Sequence, residues 1–169
     1  PLAAALLLFQ SPKWTDAEAE ARWKKDVPEG IAEKLKPILR TDHYLILTNS
    51  AGSELFGRKM EEAYAKIRAI YPFEEKAEAR LLVVFLFRSK EEYVGFCEKM
   101  GSKEMGSASK GHAWKDYYAT WYEAPNDPVH IHEATHQLFS NRLHLAGGGS
   151  WFQEGVAEYM STLANERKV

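Results

Sequence analysis

Two short blocks near the C-terminal end of the chain contain the residues best suited to chemistry. The first is His132-Glu133-Ala134-Thr135-His136, in which two imidazoles lie four positions apart with a carboxylate beside the first. The second block contains Glu154 and Glu158, again four positions apart. Two histidines with one carboxylate form a ligand set that leaves a fourth position open, as catalytic zinc sites do. The two blocks therefore predict a site for Zn²⁺.

Helical geometry gives each of these residues a separate expected role. Side chains at i and i+4 share one face of a helix, so His132 and His136 can both reach one zinc ion at about 2.0–2.1 Å. Glu133 is expected to lean over the open position, where it serves as general base toward a zinc-bound water. Glu154 is the predicted third ligand. Glu158, one turn beyond Glu154, is predicted to accept a hydrogen bond from the far nitrogen of a liganding histidine.

Both blocks are predicted to lie on capped helices. Asp127 and Pro128 fit the N-cap and first position of a helix that runs to about Asn141. Residues 150–153 form a capping box that starts a second helix at Trp151. The three glycines at 147–149 permit a sharp reversal between the helices. This reversal would bring Glu154 back to the two histidines.

The remaining pattern predicts an α+β fold, a small mixed sheet packed on helices with a hairpin at its edge. Strands are predicted at 43–48 and 81–87, with an amphipathic helix at 53–71 between them and another helix from Ser89 to about Met100. Residues 101–111 are predicted as a loop. A hairpin follows, and its strand from Tyr117 to Tyr122 is the predicted edge, able to pair with an extended peptide. Alternatively, the aromatic residues of that strand fill the core.

The first forty residues are predicted to form a helical covering segment, with the metal-binding domain over 41–169. One helix is expected from Thr15 to Lys25 and another over 31–40, disturbed at Pro37. The apolar run from Leu2 to Phe9 is too short to span a bilayer. As a remnant of a signal peptide it predicts an extracytoplasmic protein; as an N-terminal helix packed on the domain it fits a cytoplasmic one equally.

Composition narrows the class of partner. The chain has 169 residues, which suits a single compact domain, and a formal net charge of −2. This charge gives no indication of binding to nucleic acid or to an anionic membrane. Cys97 is the only cysteine, so neither an intrachain disulfide nor a cysteine-rich zinc site can form.

The two blocks together resemble the gluzincin metallopeptidases. The segment Trp151-x-x-Glu154-Gly155-x-Ala157-Glu158-Tyr159 is similar to one in the aminopeptidase N type, and the seventeen residues between His136 and Glu154 are slightly fewer than usual there. The upstream order of elements resembles peptidase-MA-like bacterial proteins of unknown function. The resemblance implies a zincin-like fold, a peptide or protein substrate, His132, His136 and Glu154 as zinc ligands, Glu133 as general base and Glu158 as the outer acid.

Two functions follow as hypotheses. The first is a zinc-dependent hydrolase, a metallopeptidase that cleaves peptide bonds with Glu133 as general base. The second is a domain that holds zinc and binds a partner without catalysis. The resemblance does not extend to a Gly-x-Met-Glu-Asn exopeptidase block. Gluzincins also commonly supply a Tyr or His to the oxyanion from beyond the second helix, so here either Tyr117, Tyr118 or Tyr122 substitutes or this donor is missing.

Overall fold

The computed structural model describes residues 17–18, 21, 25, 27–36, 38–75, 80–114, 117–145 and 148–165. The predictions for the run from Leu2 to Phe9 lie outside these residues. The four described residues before position 27 are helical, within the helix expected from Thr15 to Lys25. The division of the chain at residue 40 stays a prediction.

The described residues form a five-stranded mixed sheet with helices, which confirms an α+β architecture. The strands are β1 (Ile38–Arg40), β2 (Tyr44–Thr48), β3 (Leu82–Phe87), β4 (Gly111–Trp114) and β5 (Tyr117–Trp121). The helices are α1 (Ser53–Ile70), α2 (Lys90–Lys99), α3 (Lys103–Ala108), α4 (Val129–Leu138) and α5 (Gly149–Asn165), with a 3-10 turn at Ala32–Lys34 and a π-helical turn at Phe139–Leu143.

The sheet has the strand order β1-β2-β3-β5-β4. Strands β2, β3 and β5 run parallel, while β1 and β4 are antiparallel to their neighbours. In the β4–β5 hairpin, His112 lies opposite Ala119 and Ala113 lies opposite Tyr118. The outermost strand on this side is β4, which borders the motif helix.

Strand β3 is central because all six of its residues are buried, as its continuous apolar run predicts. Its alternate residues Val83 and Phe85 pack in one cluster with Tyr93 and Phe96 of α2. Its other residues belong to a second cluster, built from α1, α4 and α5. The sheet therefore has helices on both faces, and α4 and α5 share one of them.

Three predictions about the scaffold are wrong. Residues 31–40 do not form a second helix: a 3-10 turn precedes β1, which pairs with β2 and so satisfies backbone groups where a proline disfavours helix. The predicted loop at 101–111 contains α3, which packs against α2. The strand from Tyr117 is not an edge strand, because β5 pairs with β3 on one side and with β4 on the other.

The described residues also bear on membrane topology. Within them, none of the helices combines the length and the apolar character that crossing a bilayer needs.

Candidate metal centre

Helix α4 is held in a defined orientation by contacts at both ends. Helix α4 begins at Val129 with Pro128 as its N-cap, one residue later than predicted, and the Asp127 carboxylate accepts a hydrogen bond of 3.1 Å from the Val129 N–H. Near the other end, Gln137 Nε2 donates to the Val83 carbonyl at 2.8 Å, tying the helix to the central strand. Ala134 and Leu138 are fully buried in the core. With that face fixed inward, the motif residues lie along the open side.

The connection between α4 and α5 reverses the chain with left-handed backbone. His144 has φ 52°, and Gly148 and Gly149 have φ 88° and 77°. A Cβ atom at Gly148 would lie 2.9 Å from the Phe152 ring, so glycine is favoured there by both backbone and packing. Helix α5 begins at Gly149, two residues before the predicted start, and packs against α4. The reversal therefore returns Glu154 to the motif helix, as expected.

His132, His136 and Glu154 come together on the open side of α4. Each offers one ligand atom, and these atoms all lie within 4.8 Å of one another. His132 Nε2 lies 3.1 Å from Glu154 Oε2 and 3.2 Å from His136 Nε2. His136 Nε2 lies 3.4 Å from Glu154 Oε1. All three predicted ligands thus converge on one point between two helices.

The spacing of the two imidazole nitrogens fits a tetrahedral zinc ion, and the Glu154 carboxylate lies within reach of the same point. Ligand atoms at 2.0–2.1 Å from a tetrahedral centre are about 3.3–3.4 Å apart. The two imidazole nitrogens are 3.2 Å apart, close to this edge length. Glu154 approaches each of them with a different carboxylate oxygen, Oε2 at 3.1 Å from His132 and Oε1 at 3.4 Å from His136. Two imidazole lone pairs repel at such a distance unless a cation or a proton lies between them. The residues present therefore fit a zinc ion, and His132, His136 and Glu154 would hold it.

Glu133 lies next to the three ligand residues and is anchored by the edge strand. Its Oε2 accepts a hydrogen bond of 2.7 Å from the backbone N–H of Ala113 in β4. The pKa of Glu133 is raised to about 7, mainly by burial and to a smaller extent by the Glu154 carboxylate, while the hydrogen bond from the Ala113 N–H acts in the opposite direction. Because Oε2 is engaged, Oε1 is the oxygen left for proton transfer. The edge strand thus orients the predicted base.

Burial also shifts the pKa of His136, one of the two ligand histidines. It lowers the pKa of His136, against the smaller opposing effect of the Glu154 carboxylate. A lower pKa favours the neutral imidazole, which is the form that binds a metal. The ligand residue on α5 is much more exposed, since the Glu154 side chain is 61% accessible. The site is therefore open toward α5 and enclosed toward the sheet.

Glu158 occupies the expected side of α5 without making the expected hydrogen bond. Its Oε2 lies 3.7 Å from His132 Nδ1, beyond hydrogen-bond range, and its side chain is 75% exposed. A hydrogen bond would require the exposed side chain to move closer to His132. Its outer role toward His132 stays a prediction.

His130, two residues before His132, is buried in the interior and does not join the ligand residues. His130 Nε2 donates to the Ala124 carbonyl at 3.1 Å, so its Nδ1 accepts the Tyr118 hydroxyl at 2.9 Å. This bond also commits the single hydroxyl hydrogen of Tyr118. The Tyr122 ring lies against Gly52, which directly precedes α1. Two cavities lie beside the ligand residues, and within the described part of the chain neither of them is lined by a tyrosine.

Two connected features of the site were not predicted. A cavity of about 280 Å³ contains the three ligand residues together with His112, Ala113 and Gln137. A larger one of about 780 Å³ adjoins it and shares His132 and Glu133. The sequence alone does not indicate a role for His112, because a histidine that starts a short strand has no distinctive spacing. The Ala113 N–H is a backbone group, so no residue type could have indicated it.

The chain was also compared with known proteins. No protein-family model matches it, and a search of curated proteins finds no significant match.

Proposed function

We propose that this chain is a zinc-dependent hydrolase that cleaves peptide bonds with Glu133 as general base. The observation that supports this most strongly is the convergence of the ligand atoms of His132, His136 and Glu154, which lie within 4.8 Å of one another, with Glu133 adjacent. Three protein ligands leave a fourth position for water or substrate, which distinguishes catalytic zinc from structural zinc.

The proposed chemistry divides between the metal and the chain. Zinc in such a site lowers the pKa of water to about 7 and polarises a carbonyl. Glu133 takes up a proton on Oε1 while its Oε2 stays bonded to Ala113, and it then delivers the proton to the leaving amine. Because α4 is tied to β3 through Gln137, the base and both histidines keep a fixed relation to the sheet.

A peptide substrate is favoured by the position of the edge strand. Strand β4 is outermost in the sheet, and its Ala113 N–H points to Glu133. An extended peptide that adds to this edge would present its main chain to the base and the metal ligands. The recognition proposed earlier for the strand beginning at Tyr117 therefore belongs to β4.

The family proposal rests on the two sequence blocks. An HExxH helix followed by a second helix with a ligand glutamate is the arrangement expected of a zincin-like, gluzincin peptidase. The motif helix α4, the reversal at Gly148 and the Glu154 helix α5 are compatible with that assignment. Under the same assignment Glu158 supports His132 from outside the ligand set.

A second function, a zinc-holding domain without catalysis, is favoured by one observation. The hydroxyl of Tyr118 is bonded to His130, and the other two candidate tyrosines do not line the cavities. If no other group donates to an oxyanion, the loss is typically about 2.7–4 kcal/mol of transition-state stabilisation. Binding of a peptide without its hydrolysis would identify this second function.

Glu133→Gln separates these two functions. Zinc-loaded wild type is expected to hydrolyse members of a peptide library in a chelator-sensitive manner, and Glu133→Gln at equal zinc content is expected to lose this activity. Glu104→Gln, an exposed change of the same charge, serves as control and should stay active. Equal turnover by wild type and Glu133→Gln would refute the proposed role of Glu133.

A further inference from the structure

A chain of hydrogen bonds leads from the interior to the cavity that contains the three ligand residues. Ser109 Oγ donates to the Met105 carbonyl at 2.9 Å. The Tyr93 hydroxyl lies 3.0 Å from Ser109 Oγ and 2.9 Å from His112 Nδ1. Three consecutive hydrogen bonds therefore connect the Met105 carbonyl with the His112 imidazole. The carbonyl can only accept a hydrogen bond, whereas either nitrogen of the imidazole can carry the proton.

The number of available hydrogens determines which atom donates in each of these three hydrogen bonds. The link from Ser109 to Met105 uses the only hydroxyl hydrogen of Ser109, so the link from Tyr93 to Ser109 must use the hydrogen of Tyr93. The remaining link, between Tyr93 and His112, then needs a hydrogen from Nδ1. With Nδ1 unprotonated, two hydrogens would have to serve three links.

The direction of these hydrogen bonds determines whether Nε2 of His112 carries a proton. Burial lowers the pKa of His112 to about 4, so the ring is neutral near pH 7 and carries one proton. That proton is on Nδ1, which leaves Nε2 with a free lone pair. Within the described residues, Nε2 has no hydrogen-bond partner, and His112 lines the cavity together with Glu133 and the ligand residues.

The aromatic surroundings hold the ring in place. His112 stacks against Phe96 with 6.4 Å between ring centroids and contacts Tyr93 and Tyr117 by their ring edges or tilted faces. His112 is not a member of the group whose ligand atoms lie within 4.8 Å of one another. His112 therefore lines the same cavity as the three ligand residues without belonging to the ligand set.

We propose that His112 presents an unprotonated Nε2 to this cavity and accepts a hydrogen bond from an N–H or O–H group of the bound peptide. This inference rests on the proposed function, and it adds a substrate-binding residue on β4 with a defined preference for donors. An acceptor at this point excludes His112 as the oxyanion donor. It also predicts that Ser109, which does not touch His112, controls which ring nitrogen carries the proton.

Nitrogen-15 NMR of the zinc-loaded protein at pH 7 tests the protonation state directly. The wild type is expected to show the proton of His112 on Nδ1. In Ser109→Ala the Tyr93 hydroxyl loses its acceptor and turns to Nδ1, so the proton is expected to move to Nε2. Ser107→Ala is the matched control, because Ser107 Oγ bonds to the Glu104 carbonyl at the surface. A wild-type proton on Nε2 would overturn the inference.

Hydrolysis assays test the contact with substrate. One cleaved peptide is resynthesised with each main-chain N–H replaced in turn by an ester oxygen, and each hydroxyl-bearing side chain by an apolar isostere. Wild type is expected to lose about 3- to 10-fold in kcat/KM at one of these positions, as one net hydrogen bond implies. His112→Phe, which keeps an aromatic ring in the cluster, should show no loss at that same position.

The outcomes separate the inference from the proposed function. If zinc-loaded wild type cleaves no peptide, the proposed function fails. If wild type cleaves peptides and His112→Phe keeps the same position-by-position pattern, the inference about His112 fails while the function stands. Loss of bound zinc in His112→Phe would make His112 a metal ligand and would also overturn the inference. Thermal unfolding of each variant verifies that it is folded.

Discussion

Replacing Glu133 with Gln is expected to stabilise the metal-free protein, by an amount that grows with pH. The carboxyl group has a pKa of about 7 in the folded chain, against an ordinary value of 4.5, mainly because it is buried. Gln keeps a carbonyl oxygen to accept the Ala113 N–H, so the substitution removes the charge and retains the hydrogen bond of 2.7 Å. The stability that Glu133→Gln gains over wild type is then the free energy that wild type loses by ionising this buried carboxyl group.

The sign and size of the effect follow from the two pKa values. Below pH 4.5 the group is protonated in both the folded and the unfolded chain, and it contributes no pH dependence. Between pH 4.5 and 7 the folded chain keeps a proton that the unfolded chain releases, so wild-type stability falls as pH rises. A pKa of about 7 instead of 4.5 corresponds to about 3 kcal/mol above pH 7.

Urea unfolding of the metal-free proteins at pH 5 and pH 8 measures this difference. Glu133→Gln is expected to gain about 3 kcal/mol over wild type at pH 8 and less than about 1 kcal/mol at pH 5. Glu104→Gln, at an exposed position, controls for the change in net charge. A gain of equal size at both pH values, or no gain at pH 8, would show that burial of Glu133 does not shift its proton affinity.

Three further changes test the scaffold and the surroundings of the metal centre. Gly52→Ala places a Cβ atom 2.2 Å from the Tyr122 ring, so it should lower the free energy of unfolding by about 1–3 kcal/mol in a denaturant experiment. The loss should be smaller in the Tyr122→Ala background, and equal losses in both backgrounds would contradict the clash. Gln137→Leu leaves the buried Val83 carbonyl without its donor and should cost about 1 kcal/mol or more; unchanged stability would mean that this bond does not hold α4. Glu158→Gln should weaken zinc binding about 10-fold in a chelator competition assay, and an unchanged Kd would remove Glu158 from the support of His132.

The sequence predicted the features that local rules control. These features are the spacing of His132 and His136, the Asp127 carboxylate at the start of α4 and the glycines at the reversal, and each acts over one helix turn or one loop. The run that forms β3 is apolar throughout, and a continuous apolar run is typical of a strand that is buried on both faces of a sheet. These rules suffice to bring the three ligand residues together, since both helices lie close in the chain.

The features that the sequence missed depend on pairing over long distances. The segment Ile38–Arg40 is a strand because β2 is available as a partner, although the local pattern favours a helix. The position of β4 at the sheet edge follows from β5 pairing with β3, more than thirty residues away in the chain. The roles of Ala113 and His112 depend on that edge position. They appear only when the sheet and α4 are assembled.

X-ray absorption spectroscopy of the zinc-loaded protein tests the metal centre most directly. The proposed site predicts one zinc per chain with two imidazole nitrogens and a carboxylate oxygen at about 2.0–2.1 Å, plus one further light ligand. Glu154→Ala should lose the carboxylate ligand or the metal. A zinc environment with fewer than two imidazoles, or a spectrum that is unchanged in Glu154→Ala, would contradict the assignment of this centre.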